Sequence, residues 1–145
     1  MPAMRFDIPS PDLETQAFWD GCRDGRFLIR HCNACGADHF YPRPFCPKCW
    51  SPDVSWKEAS GRGTLYTYSV VHVNDLPPFP ERVPYVAAIV ELAEGPRMMT
   101  NVVGCDPVEV AIGQEVAVRF EEDEDVWIPL FEPTGAGGAD RKSVV

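Results

Sequence analysis

Four cysteines stand in two matching pairs, Cys32-x-x-Cys35 and Cys46-x-x-Cys49, with ten residues between the pairs. Two residues between cysteines let one tight turn aim both sulfurs at a single metal, and the amides of that turn can point at the same sulfurs. Gly36 relieves the exit of the first turn, and Pro47 stiffens the second. Two such turns facing each other supply tetrahedral sulfur ligation, the arrangement zinc takes in closed structural sites. The spacing therefore predicts a zinc ribbon held by Cys32, Cys35, Cys46 and Cys49. With all four positions filled by protein, no place remains for a zinc-bound water. The metal, one per chain, is expected to be structural and to fold a segment too small for its own core. Iron in a rubredoxin-like site is the alternative. Haem attachment fails because Gly36, not His, follows Cys35, and a thioredoxin-like redox pair would need a βαβ unit.

The remaining reactive side chains do not assemble into a motif. Cys22 and Cys105 are left over. Cys105 with His72 would be a nucleophile and base, but no third orienting group accompanies them, so no catalytic residue is assigned. His31 and His39 flank the ribbon, where either could hydrogen-bond a ligand sulfur. The acidic run Glu121–Asp125 lacks a calcium-loop pattern and reads as a solvated hairpin tip. There is no Gly-rich phosphate loop and no nucleophile elbow.

The elements that must position these residues follow from patterning. Ser10 is placed as the cap of a first helix, with Pro11 in its first turn and Asp12 and Glu14 at its positive end. Leu13, Ala17, Phe18 and Cys22 would share its buried face, and Gly25 would stop it. A short strand over RFLIRH leads into the first cysteine pair. After residue 53 the period changes to two. TLYTYSVVHV, PYVAAIVEL, RMMTNVVG, EVAVRF and VWIPLF read as five strands with turn-rich links. Five such strands fit a small closed barrel, with an OB-fold as the specific expectation. Asn74 to Pro84 holds four prolines and reads as an extended, stiff loop. The expected organisation is a mainly β chain: a helical segment over 1–30, the ribbon over 31–53, the barrel over 54–133 and a flexible tail over 134–145.

Composition narrows the partners. Thirteen Lys and Arg stand against twenty-two Asp and Glu, a formal charge of -9. Such a field repels phosphate backbones, which argues against nucleic acid as a partner. No signal peptide and no apolar run of about 20 residues is present, so a cytoplasmic location away from membranes is the expectation. In a reducing compartment six cysteines serve as ligands or buried thiols rather than disulfides.

In linear order, the helix, LIRHCNACGADHFYPRPFCPKC, GRGTLYTYSVVH, PYVAAIVELAEGPRMMTNVVG and VWIPLFEP resemble the acyl-CoA-associated zinc-ribbon and OB-fold family, domain of unknown function thirty-five. The resemblance covers roughly residues 13–133. It implies a small partner subunit of a thiolase-like enzyme, whose large subunit carries the reactive residues, in thiolysis or retro-aldol cleavage of an acyl-CoA ester. The four cysteines carry over as zinc ligands. A CoA ester is anionic and needs local cations, for which Arg62, Arg82, Arg97 and Arg119 are candidates. Phe79 and Trp127 are candidates for partner contact, or equally for closing the barrel. A nucleic-acid-binding protein and an iron electron-transfer protein are the competing readings.

Overall fold

The computed structural model describes residues 7–134 and the strand backbone at 139–140 and 142–143. Most of the expected tail lies outside the described residues.

Helix α1 spans Gln16–Arg23. Asp12, rather than Ser10, organises its start. Its Oδ1 accepts hydrogen bonds from the Glu14 amide at 3.1 Å, the Thr15 amide at 2.9 Å and the Thr15 hydroxyl at 2.9 Å. A carboxylate satisfies several of the unpaired amides at a helix start, and it suits the positive end of the dipole. Because the opening turn begins two residues later than expected, Leu13 falls outside the buried face and is 99% exposed. Phe18 and Cys22, four residues apart, are buried as expected.

Three antiparallel strands follow in the order β2-β1-β3: β1 Leu28–Cys32, β2 Asp38–His39 and β3 Val54–Glu58. The cysteine turns hang from this small sheet. The remaining strands are β4 Arg62–Val71, β5 Tyr85–Leu92, β6 Arg97–Val102, β7 Glu115–Asp123 and β8 Val126–Pro133. They are the five expected runs, and they close into a barrel in the order β4-β5-β6-β8-β7, with β7 returning to β4. This is the OB-fold arrangement.

Strand β5 shows the period-two logic directly: Val86, Ala88, Val90 and Leu92 are buried and their neighbours are not. Gly63 sits where β4 pairs with both β5 and β7. A Cβ there would stand 2.8 Å from the Glu91 carbonyl oxygen and 2.7 Å from Val90 Cγ1, so only glycine lets the strands close. At the other side of the barrel, β6 and β8 meet in parallel through one residue pair, Val102 with Phe131. That thin seam leaves a groove along the wall. The proline-rich loop from Asn74 to Pro84 is not fully extended as expected. It bends through a 3-10 turn at Phe79–Glu81, where the Glu81 amide bonds back to the Pro78 carbonyl at 3.3 Å and the Arg82 amide to the Phe79 carbonyl at 2.9 Å.

The core is shared between the parts. Phe18 and Cys22 of α1, Phe27 and Ile29 at the root of the ribbon, and Val90, Leu92, Met98, Val116 and Phe131 of the barrel form one buried cluster. A smaller cluster, built on Leu65, Val86 and Val102, fills the barrel's other end. Among the described residues, no helix is long and apolar enough to cross a membrane.

Candidate metal centre and binding surfaces

The two cysteine turns share their backbone hydrogen bonds and differ in which amide points at the first sulfur. In the first, the Cys35 amide points at Cys32 Sγ (3.4 Å), the Gly36 amide at the Cys32 carbonyl (2.9 Å) and the Cys32 amide at the Ala37 carbonyl (2.8 Å). In the second, the Lys48 amide points at Cys46 Sγ (3.3 Å), the Trp50 amide at the Cys46 carbonyl (2.8 Å) and the Cys46 amide at the Ser51 carbonyl (2.9 Å). The four sulfurs converge, all within 4.8 Å of one another. Cys32 and Cys49 Sγ are 3.6 Å apart, and Cys35 and Cys46 Sγ are 3.7 Å apart. A zinc tetrahedron with bonds of about 2.3 Å has edges of about 3.8 Å, so the cage already fits the ion.

The protonation chemistry points the same way. The Cys35 amide, against the opposing effect of burial, draws the Cys32 thiol down to about 7. The Cys49 amide likewise lowers Cys46. The Ser51 amide pulls on Cys49, but its bond to Cys32, burial and the other two thiols outweigh that pull and push it up to about 12. Four crowded sulfurs cannot all shed their protons unless a cation balances them, and a divalent metal does that.

Neither flanking histidine bonds a sulfur. His31 Nδ1 meets Asp38 Oδ1 at 2.6 Å, and Lys57 Nζ meets Asp38 Oδ2 at 2.7 Å. Burial alone would raise the Asp38 carboxyl, but the Lys57 and His31 hydrogen bonds outweigh it and hold the group low. This triad braces β1, β2 and β3 together, and the sequence gives no local sign of it, because it arises from strand register. His39 is buried, and both its ring nitrogens lack a partner among the described residues. Burial, then Arg30 and Arg43, lower its pKa, so the ring stays neutral.

The four arginines lie on the barrel surface. Arg82 pairs with Asp123 (3.1 Å), Arg97 with Glu91 (3.4 Å), and Arg119 with Glu121 (3.0 Å) and Glu132 (3.3 Å). Arg62 begins β4, is exposed, and forms no ion pair among the described residues. Phe79 is half-buried, 5.7 Å from the Tyr85 ring, and lines the seam groove. Trp127 packs against the shared core.

The groove consists of two adjoining depressions of about 630 and 430 Å³ that share Phe79, Tyr85, Asn101, Ile128 and Leu130. The first is rimmed by Glu121, Glu122 and Asp123. The second is walled by Trp19, Tyr41 and Met99. Cys105 lines the first depression, and burial, then Glu109 and Asp106, raise its thiol, opposite to what a thiolate nucleophile requires. Among the described residues no hydrogen bond joins it to His72, which is exposed at the end of β4.

Two family models match in tandem. Residues 19–55 match the ChsH2 rubredoxin-like zinc ribbon domain, and residues 56–121 match the ChsH2 C-terminal OB-fold domain. The chain is 40% identical over 128 residues to a probable enoyl-CoA hydratase alpha subunit of Thermomonospora curvata. That match takes in 86% of this chain and only 40% of the relative, so the chain spans well under half of that protein. It is 43% identical over 98 residues to a DUF35 domain-containing scaffold protein of Methanocaldococcus jannaschii, covering 65% of this chain and 69% of the relative. A solved structure, the Ltp2-ChsH2(DUF35) aldolase, contains a chain that superposes with a TM-score of 0.77 at 36% identity, over 87% of this chain and 98% of that one. These matches identify a rubredoxin-like zinc ribbon, and the four cysteines close together in it, Cys32, Cys35, Cys46 and Cys49, are consistent with one structural zinc. The chain belongs to the DUF35 family of ChsH2-type proteins, a zinc ribbon rooted in an OB-fold barrel.

Proposed function

We propose that this chain is a non-catalytic accessory subunit of a thiolase-type acyl-CoA enzyme, acting in the cytoplasm in thiolysis or retro-aldol cleavage. The observation that carries the reading is its likeness to nearly the whole DUF35 chain of an aldolase complex. The hydratase alpha subunit similar to it is likewise named for an acyl-CoA reaction. The chemistry of the chain is in keeping with a supporting role. Its four sulfurs would fill a zinc tetrahedron and leave no open position, and the groove thiol of Cys105 is raised rather than activated.

On this reading the large subunit supplies nucleophile and base, and the small one supplies surface. The seam groove has an apolar wall for a partner segment or acyl chain. Its rim carries Glu121, Glu122 and Asp123 together with Arg82. The CoA phosphates are assigned to Arg62, Arg82, Arg97 and Arg119. Exposed ion pairs such as those of the last three are worth about 0 to 1 kcal/mol, so a multiply charged phosphate can displace them.

The test is recovery of the tagged full-length chain from its host and identification of what copurifies. A thiolase-fold protein that coelutes on size exclusion, and whose acyl-CoA cleavage depends on this chain, is the expected result. Retention of RNA or DNA at physiological salt, with no such partner, would overturn the reading.

A further inference from the structure

Asp7, Ile8 and Pro9 precede α1 and lie against the barrel, where they line the larger depression of the seam groove. All three are half-buried, yet neither core cluster includes them. The next two residues, Ser10 and Pro11, are exposed, and the chain is anchored again only where Asp12 organises the helix start. The leading segment is therefore held by the groove wall rather than by the core.

The six residues before Asp7 are MPAMRF. In an extended chain side chains alternate, so Phe6 and Met4 share one side and Arg5 takes the other. The depression offers the matching chemistries. Its wall is apolar, with Phe79, Tyr85, Val103, Ile128 and Leu130. Its rim keeps an excess of acid when the cations beside it are counted. Asp7, Glu121, Glu122 and Asp123 stand against Arg82, and Arg119 reaches Glu121 at 3.0 Å. Among the described residues four carboxylates thus face two guanidinium groups, and Glu122 is exposed and forms no ion pair. Three residues of extended chain reach about 10 Å. A depression of about 630 Å³ is of the same linear scale.

Tethering favours this occupant over a free one. Phe6 is bonded to a residue already in the groove, so its effective concentration there is on the order of millimolar before any free segment competes. Burial of two apolar side chains roughly offsets the ordering of three residues, so such a segment is held loosely enough to be displaced.

We propose that residues 4–6 form a strap in the seam groove, with Phe6 and Met4 against its apolar wall and Arg5 on its acidic rim beside Glu122, so that whatever enters the groove must displace it. The proposal goes beyond the accessory-subunit reading and is tested on the chain alone, so either can fail without the other.

The experiment uses Cys105, which lines the same depression, as the reporter. The isolated full chain is labelled with N-ethylmaleimide, and the rate at each cysteine is read by peptide mass spectrometry. Cys22, buried in the core, reports unfolding. Phe6→Ala and Arg5→Glu should each label Cys105 at least threefold faster than wild type, with Cys22 still protected. A carboxylate added near a thiol slows its alkylation through the thiolate fraction, so a faster rate in Arg5→Glu measures uncovering and not charge. Adding Glu122→Arg to Arg5→Glu restores the opposite charges and should return the rate to within twofold of wild type. An unchanged rate in either single variant would overturn the strap. Labelling of Cys22 in step with Cys105 would assign the rise to unfolding and overturn it as well. A double variant as fast as Arg5→Glu alone would remove Arg5 from the rim and refute the proposed placement.

Discussion

Phe27, at the root of the zinc ribbon, meets Phe131 of the last barrel strand edge to face, with ring centroids 6.2 Å apart and planes at 82°. Phe18 of α1 packs against Phe27 as well, with centroids 6.1 Å apart. All three rings are essentially fully buried. Helix, ribbon and barrel therefore share one core, and the ribbon is not a separate bead on the chain.

This contact predicts the cost of truncation. Phe131→Ala should destabilise the whole chain by about 3 to 5 kcal/mol, the usual range for emptying a phenylalanine site in a close-packed core. Urea unfolding followed by both near-ultraviolet circular dichroism and zinc release measures it. The two probes should report one shared transition. A barrel that melts while the ribbon keeps its zinc would contradict the shared core.

Zinc should be needed beyond the ribbon for the same reason. Cys46 is buried, and its Sγ stands 3.7 Å from that of Cys35. Cys46→Ser removes a thiolate that zinc prefers to a hydroxyl, so the variant should contain less than one zinc per chain and lose protection from hydrogen exchange over residues 31–50. Protection should also fall at Phe27 and Ile29, whose side chains belong to the shared core. X-ray absorption on the wild type should show four sulfurs around zinc. Iron, or a nitrogen in the first shell, would refute the assignment.

His39 gives stability a pH dependence with a definite sign. Its folded pKa lies below the ordinary value of 6.5, from burial and then from Arg30 and Arg43. The unfolded chain therefore binds more protons below about pH 6.5, and stability is present above that value and lost as pH falls through the folded pKa. His39→Leu removes the buried, unpartnered ring nitrogens. It should raise stability at pH 7 by about 0.5 to 2 kcal/mol and flatten the loss below pH 6.5. Urea midpoints at pH 8, 7 and 6 with zinc in excess decide it. An equal slope in both proteins would show that His39 does not titrate on unfolding.

Much of this was legible because it is local. The cysteine spacing carries its own turn geometry, and alternation such as that of Val86, Ala88, Val90 and Leu92 announces a strand with one buried face. What escaped is what register and packing create. Asp38 finds Lys57 and His31 only once β2, β1 and β3 align. Leu13 obeys helical spacing but precedes the turn that Asp12 organises. The seam groove follows from the single pairing of β6 with β8, which no strand's own sequence encodes.

Phe79 provides a test of the groove itself. It is half-buried in the turn after Leu76, its ring lies 5.7 Å from Tyr85, and it lines both depressions of the groove. It belongs to neither buried cluster of the core, so Phe79→Ala should cost the isolated chain no more than about 1 kcal/mol. If the groove receives a partner segment or acyl chain, the same substitution should weaken the complex or lower its acyl-CoA cleavage by about tenfold. Cys105→Ser, in the same groove, should leave that cleavage unchanged, because its raised thiol has no base to activate it. Size-exclusion binding and a cleavage assay on the purified complex read both variants. Activity abolished by Cys105→Ser would give the chemistry to this chain instead of its partner.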